Sequence, residues 1–352
     1  MPIAMPPYHD KSTFQREQAL CRNTGYLAHV LSAPRPGDCF PLDSRDNTQL
    51  VVNDNGTYRR VSNICRHRQA RILDKPAQLK RLICPVHRWS YALDGTLLNA
   101  PRFAECPTRP LESQTLHNWH GLLFDLPPPD LDLTSVDCDG RLGFEGFRFH
   151  AASHTDYNFH WRHFLEIYLE NYHINSMHPG LTKFIDPMAL DWEIYSCASI
   201  QKVGFSRKLS PSVDSPEVYD RLANELLEMT GGKFPRYATI WSLFYPNLMI
   251  ESYPFVRVIS TIWPLTPDRC RNSVEMFYDG AMEDSHPQYF RLFEEAYFAT
   301  AAEDETACRM LHDGRRALEI SGAQDDTVFA PLLEDGVRAF YEYLAAASPV
   351  NT

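Results

Sequence analysis

Glycine is sparse in this chain, with 16 in 352 residues, and it is scattered. No Gly-x-Gly-x-x-Gly run occurs, so no flavin or nicotinamide site of the phosphate-cradling kind is legible. Positive charge is also short. Against 45 Asp and Glu stand 34 Lys and Arg, a net charge of -11, which argues against a nucleic-acid partner and against an anionic membrane surface. No apolar run reaches the length of a membrane-spanning helix. Residues Met1 to Pro7 lack the charged-then-apolar order of a secretory signal. The nine cysteines are odd in number and not spaced as a disulfide framework. Cys21, Cys39, Cys106, Cys138, Cys197, Cys270 and Cys308 read as ordinary thiols of a reducing compartment. There is no internal repeat and no low-complexity tract. These absences lead to the expectation of a soluble cytoplasmic protein, and 352 residues with 44% apolar content suit two domains or one large one.

Two short segments carry the chemistry. Cys65-Arg66-His67 is followed after 16 residues by Cys84-Pro85-Val86-His87. Two thiolates and two imidazoles can bind zinc, or hold a [2Fe–2S] cluster with Cys on one iron and His on the other. A zinc finger groups its two Cys and its two His separately. Here each arm carries one of each, so each arm can reach both irons. The set resembles a Rieske centre: Asn63-Ile64-Cys65-Arg66-His67-Arg68 looks like the first cluster loop and Cys84 to Tyr91 like the second, with Leu93-Asp94-Gly95 as a hairpin turn. Arg88 departs from the Gly usual in Rieske domains. The bland alternatives are a structural zinc site or four unrelated residues.

The chain divides near residue 150. Short β-rich runs between residues 40 and 126 (49–52, 58–61, 82–83 and 121–124) predict a small all-β domain, which Leu126-Pro127-Pro128-Pro129-Asp130 closes. The expected plan is a helical lead-in over 1–34, the β domain over 35–130, a connector over 131–150 and a second domain over 151–352. In the last, periodicity predicts a helix from about Tyr157 to His173, strands over 238–245 and 256–263, and closing helices over about 288–311 and 332–347.

The second segment is Glu170-Asn171-Tyr172-His173 with His178. Spacings of four and three would put Glu166, Glu170 and His173 on one helical face. His178 lies about 140° further round, but Pro179-Gly180 lets the helix end and His178 turn back. Two His and one carboxylate on one face of Fe(II) leave positions open for oxygen and substrate.

Nearly the whole chain resembles the catalytic (alpha) subunit of Rieske non-heme iron oxygenases. The resemblance implies an α+β protein, an N-terminal Rieske [2Fe-2S] domain before a helix-grip catalytic domain in which an antiparallel sheet wraps a long helix. It implies Cys65, His67, Cys84 and His87 on the cluster, His173 and His178 on a mononuclear Fe(II), and Glu170 as the acid that bridges an iron-ligand His to a cluster-ligand His of a neighbouring subunit. The carboxylate ligand must come from downstream. Glu303 to Gly314 resembles the segment in which an acidic pair opens a helix that ends in Gly, which selects Asp304; Asp325 and Asp326 are the competitors.

The implied activity is that of a terminal oxygenase using O2 and electrons from a separate NAD(P)H-dependent reductase of flavin or ferredoxin type. It would work as a homotrimer in which each cluster serves the neighbour's iron. Glu170 in place of the commoner Asp resembles the branch acting on quaternary ammonium compounds, by hydroxylation or oxidative demethylation. Phe184, Trp192, Phe205, Trp241, Phe244, Tyr245, Tyr253, Phe255 and Trp263 are candidates for an aromatic cage around such a cation; each can equally be core. An aromatic-ring or aromatic-acid (di)oxygenase is the alternative, with Arg207, Arg236 and Arg257 as carboxylate anchors. A Rieske electron carrier without catalysis is the rival from another class.

Overall fold

The computed structural model describes residues 3–4, 8, 10–42, 47–136, 138–323 and 326–347. It separates into two compact units, one spanning Asn23–Pro129 and one formed by the residues up to Arg22 together with those from Asp130 onward. No helix among the described residues is long and apolar enough to cross a membrane.

The smaller unit is all β. Five antiparallel strands run in the order Ser113–Thr115, Thr57–Ser62, Gln49–Asp54, Asp38–Pro41 and Ala77–Gln78. Asn55-Gly56, both at positive φ, closes the central hairpin, as a two-residue turn of matching twist requires. A three-stranded sheet, Leu82–Ile83, Ser90–Tyr91 and Leu97–Asn99, carries the second cysteine arm at its first turn. Leu50, Val52, Val61, Leu82, Trp89 and Tyr91 form a core that includes Cys65 and Cys84.

The larger unit is built on seven antiparallel strands: Phe147–Tyr157, Arg269–Asp279, Val256–Thr266, Leu248–Tyr253, Thr239–Phe244, Ala198–Phe205 and Ile185–Ile194, in that spatial order. Against it lies the helix Pro287–Ser321. Tyr289, Phe290, Leu292, Phe293 and Ala296 of this helix pack on Val203, Val256, Val258, Val274 and Met276 of the sheet. Further along, Ala307 and Cys308 enter a second core with Phe159, Trp161, Leu165 and Phe340. Glu303 and Asp304 fall between these two apolar stretches, so burial of both ends fixes the acids at the junction. The architecture is the α+β arrangement anticipated, with a helix gripped by an antiparallel sheet.

Several boundaries differ from expectation. The lead-in over 1–34 is divided: the helix Lys11–Arg22 packs on the strand Val256–Thr266, while Tyr26–His29 is a strand of the smaller unit. The connector ends early, because Phe147 already pairs with Asp279. The helix expected over 157–173 covers only Trp161–Tyr168, since Tyr157 stays in register with Cys270 and the His160 side chain caps the backbone at Arg162. Glu166 therefore does not share a face with Glu170 and His173. It is buried with Tyr8 (2.5 Å), His163 (2.9 Å), Arg315 (3.1 Å) and Tyr341. The acidic pair at 303–304 lies inside its helix rather than opening it. That helix runs past Gly314 and stops where Gly322 adopts φ +69, a left-handed cap that glycine takes without a Cβ penalty.

Candidate functional site

In the smaller unit the two cysteine arms are the same turn used twice. The Cys65 N–H donates to Ala70 O and Gln69 N–H to Cys65 O; the Cys84 N–H donates to Trp89 O and Arg88 N–H to Cys84 O. Each turn reverses at a left-handed residue, Gln69 at φ +55 and Arg88 at φ +61. The cysteines are buried and His87 is exposed. The His67 and His87 rings stand 4.5 Å apart, and His67 stacks on Trp89. The buried Nδ1 of His67 has no hydrogen-bond partner, which suits a metal ligand. Tyr91 Oη lies 3.3 Å from Cys65 Sγ and accepts from Arg66 N–H. Burial, opposed by backbone N–H groups and reinforced by Cys65, raises the Cys84 thiol. A bound cation reverses that preference and favours thiolate. Two Cys, two His and an unpartnered ring nitrogen fit the cluster.

In the larger unit, His173 begins and His178 ends the single helical turn Ile174–Met177. His178 leaves the helical region at φ -121, ψ 69, and its ring turns back over the turn. The ligand atoms of His173, His178 and Asp304 all lie within 4.8 Å of one another. His173 Nε2 is 3.0 Å from His178 Nε2 and 3.4 Å from Asp304 Oδ1, and His178 Nε2 is 2.9 Å from the same oxygen. Three donors at right angles around one ion, with bonds of about 2.1 Å, would stand about 3.0 Å apart. The donor set and its spacing fit Fe(II).

The opposite edge of each ring is also held. His173 Nδ1 lies 2.5 Å from Glu170 Oε1, and Glu170 Oε2 accepts the backbone N–H groups of Tyr172 and His173. His178 Nδ1 lies 2.7 Å from Glu303 Oε2. Carboxylates on both Nδ1 atoms direct both Nε2 lone pairs inward. Burial pulls the His173 pKa down, but Asp304 and Glu170 outweigh it and lift it to about 9. Burial likewise opposes ionisation of Asp304, yet the two imidazoles hold it below its ordinary value. The centre is a site for positive charge.

Glu303 is a residue that the reading of the sequence passed over in favour of its neighbour. Adjacent helical residues diverge by about 100°, so the two acids hold His178 from different sides. Asp325 lies outside the described residues, and the side chain of Asp326 is likewise undescribed; Asp304 is at the centre.

A cavity of ≈ 180 Å³ opens onto the three ligands. Its walls include Ile174, Leu181, Phe184, Leu222 and Phe293. Of the nine aromatic candidates, Phe184, Trp241 and Tyr253 line it. The other six are engaged in packing or hydrogen bonding: for example, Trp192 donates to Leu332 O, Phe205 stacks on Phe234 and Tyr245 on Tyr343. None of the three candidate arginines reaches the cavity. Arg207 is exposed, Arg236 pairs with Asp139, and Arg257 spends its donors on Gly143, Tyr253 and Val256 carbonyls. Glu170, Glu251, Asp304 and Glu305 line the cavity, and no Lys or Arg does among the described residues.

Residues 26–113 match the Rieske [2Fe-2S] domain, and residues 144–348 match the catalytic domain of ring hydroxylating alpha subunits. The putrescine 2-hydroxylase of Ralstonia nicotianae is 32% identical over 345 residues, covering 97% of this chain and 94% of that protein. The chloroplastic choline monooxygenase of Amaranthus tricolor is 24% identical, over 96% of this chain and 75% of that one. A solved quaternary ammonium Rieske monooxygenase, described for carnitine oxidation and inter-subunit electron transfer, superposes with a TM-score of 0.72 at 15% identity, over 96% of this chain and 93% of that one.

Proposed function

The chain belongs to the Rieske-type ring-hydroxylating oxygenase alpha subunits, and from that premise we propose that it hydroxylates a small aliphatic amine or ammonium compound. It is an oxidoreductase that acts on a small molecule with O2. In the proposed reaction one oxygen atom enters a C–H bond of the substrate and the other leaves as water, with two electrons and two protons consumed. Cys65, Cys84, His67 and His87 would hold the [2Fe–2S] cluster, and His173, His178 and Asp304 the mononuclear Fe(II). When bound, these groups supply single-electron transfer and oxygen activation respectively.

The chain's own residues set the conditions. Glu170 and Glu303 fix the tautomers of His173 and His178 by accepting at Nδ1. Ile174, Leu181, Phe184, Leu222 and Phe293 give the cavity an apolar wall beside the three ligands. The observation that carries the substrate class is the charge of the cavity: four carboxylates and no Lys or Arg among the described residues. An aromatic acid would find no Lys or Arg on the cavity wall to pair with and would face Glu251, the one lining acid without a basic partner among the described residues; the putrescine 2-hydroxylase and choline monooxygenase relatives point the same way.

Electrons come, in this reading, from a separate NAD(P)H-dependent reductase, because no dinucleotide-binding run occurs in the chain. A homotrimer with each cluster serving a neighbour's iron is supported by the inter-subunit transfer described for the solved relative and by the position of Glu170 beside His173. The unpaired, largely buried cysteines accord with a cytoplasmic setting. The test is oxygen uptake by reduced, iron-replete enzyme offered diamines, choline, betaines, benzoates and simple aromatics. Stimulation by aliphatic amines or ammonium compounds is expected. Stimulation by aromatics alone would overturn the assignment.

A further inference from the structure

Glu251 lies on the strand Leu248–Tyr253, opposite Trp241 on one side and Val258 on the other. Alternation along the strand puts Met249, Glu251 and Tyr253 on one face. The carboxylate is 5% exposed and lines the cavity. Its Oε2 accepts from Tyr253 Oη at 2.8 Å; its Oε1 accepts from Tyr297 Oη at 3.3 Å and Ser260 Oγ at 3.4 Å. Trp241 Nε1 donates to Tyr253 Oη at 2.9 Å, so the tyrosine's own hydrogen is left to point at the acid. Every one of these partners is neutral.

The other three acids of the cavity are neutralised. Glu170 and Asp304 face histidines, and Glu305 is paired with Arg309. Glu251 has no Lys, Arg or His partner among the described residues. Burial pushes its carboxyl up to about 7 against the pull of the three hydroxyls. A buried carboxylate without counter-charge is costly to the fold, and a cation entering the cavity removes that cost.

We propose that Glu251 is the anchor for the substrate's cationic end, and that the ligand it takes is a protonated primary or secondary alkylamine. An N–H of such a group donates to the remaining lone pair of Oε2, whereas a tetraalkylammonium ion has no hydrogen to give. Tyr297, which braces Glu251, and Asp304 are seven residues apart on one face of the long helix, about 10 Å along its axis. Glu251 and the ligand Asp304 are distinct points on the cavity wall, near enough for Asp304 to add to the rise of the Glu251 carboxyl. An amine held by its charge at Glu251 would have its carbon chain left to lie toward the three ligands, which line the same cavity. This deepens the amine-oxygenase reading and rests on it.

The experiment is calorimetric titration of the anaerobic, iron-replete enzyme with butane-1,4-diamine and with its fully N-methylated bis-quaternary analogue. The wild type is expected to bind the diamine at least 10-fold more tightly than the analogue. Glu251→Gln is expected to weaken diamine binding roughly 100-fold, as for loss of one member of a buried charge pair, with Glu251→Asp recovering part and iron content unchanged in both. Equal diamine affinity in wild type and Glu251→Gln, tighter binding of the quaternary analogue, or no diamine binding by the wild type would each overturn the proposal. If Glu251→Gln does not fold, Glu251→Asp decides: diamine binding weaker than in the wild type supports the anchor, and equal binding overturns it. Oxygen incorporation is scored separately, so absence of turnover with every substrate would sink the oxygenase reading while the binding result still judges Glu251.

Discussion

His173 Nε2 and His178 Nε2 lie 3.0 Å apart, closer than two ring nitrogens come without a hydrogen or a cation between them. Both rings are turned by carboxylates behind them, and Asp304 closes the third side. His173→Ala is therefore expected to lower iron from three to two atoms per chain while the visible and EPR signatures of the cluster persist. Two irons in the wild type would instead mark an electron carrier without a catalytic centre.

Glu303 holds His178 from outside the ligand triad. Such supporting carboxylates contribute 10–100-fold to metal affinity. Glu303→Ala is expected to weaken iron binding by roughly that factor, read by competition with a chelator, without loss of cluster iron. An unchanged affinity would reduce Glu303 to a surface acid.

Arg88 stands at φ +61 in the second cluster turn, a conformation that costs a branched side chain most. Arg88→Gly is expected to keep the cluster and leave stability within about 1 kcal/mol, because relief of strain offsets added chain entropy. Arg88→Val is expected to lose about 1–2 kcal/mol, measured by denaturant unfolding of the holoprotein.

Glu166 is buried among Tyr8, His163, Arg315 and Tyr341. Burial works to raise its pKa, but Arg315 and the hydrogen bonds from His163 and Tyr341 hold it at about 2. A carboxyl depressed on folding stabilises above its unfolded pKa, near 4.5, and loses that contribution as pH falls toward 2. Wild type should exceed Glu166→Gln in stability by something on the order of 3 kcal/mol at neutral pH, and the gap should close between about pH 4.5 and 2. A gap that is constant with pH would mean that Glu166 acts by packing alone.

The cluster arms stood out because each carries one Cys and one His within flanking residues that resemble Rieske loops, whereas the His173 and His178 pair, weak by its spacing, gained meaning only beside that signature. Asp304 was reached through likeness of its surrounding segment, although the helix there neither starts at the acids nor ends at Gly314. Glu303 and Glu251 were not legible, since their significance arises only when the long helix meets His178 and when one strand faces Tyr297. The aromatic candidates were over-read for a related reason: ring content along the strands reports core packing as readily as a cage, and Phe244, Tyr245 and Trp263 are packing residues. The helix expected over 157–173 failed because strand pairing at Tyr157 outweighed local periodicity.

The most direct measurement is a single turnover of chemically reduced, iron-replete protein with a small aliphatic amine under ¹⁸O2, followed by mass spectrometry of the product. The account expects one labelled oxygen atom in the amine and none when His173→Ala replaces the wild type. Unlabelled amine from the wild type, with label appearing only in an aromatic compound or nowhere, would contradict it.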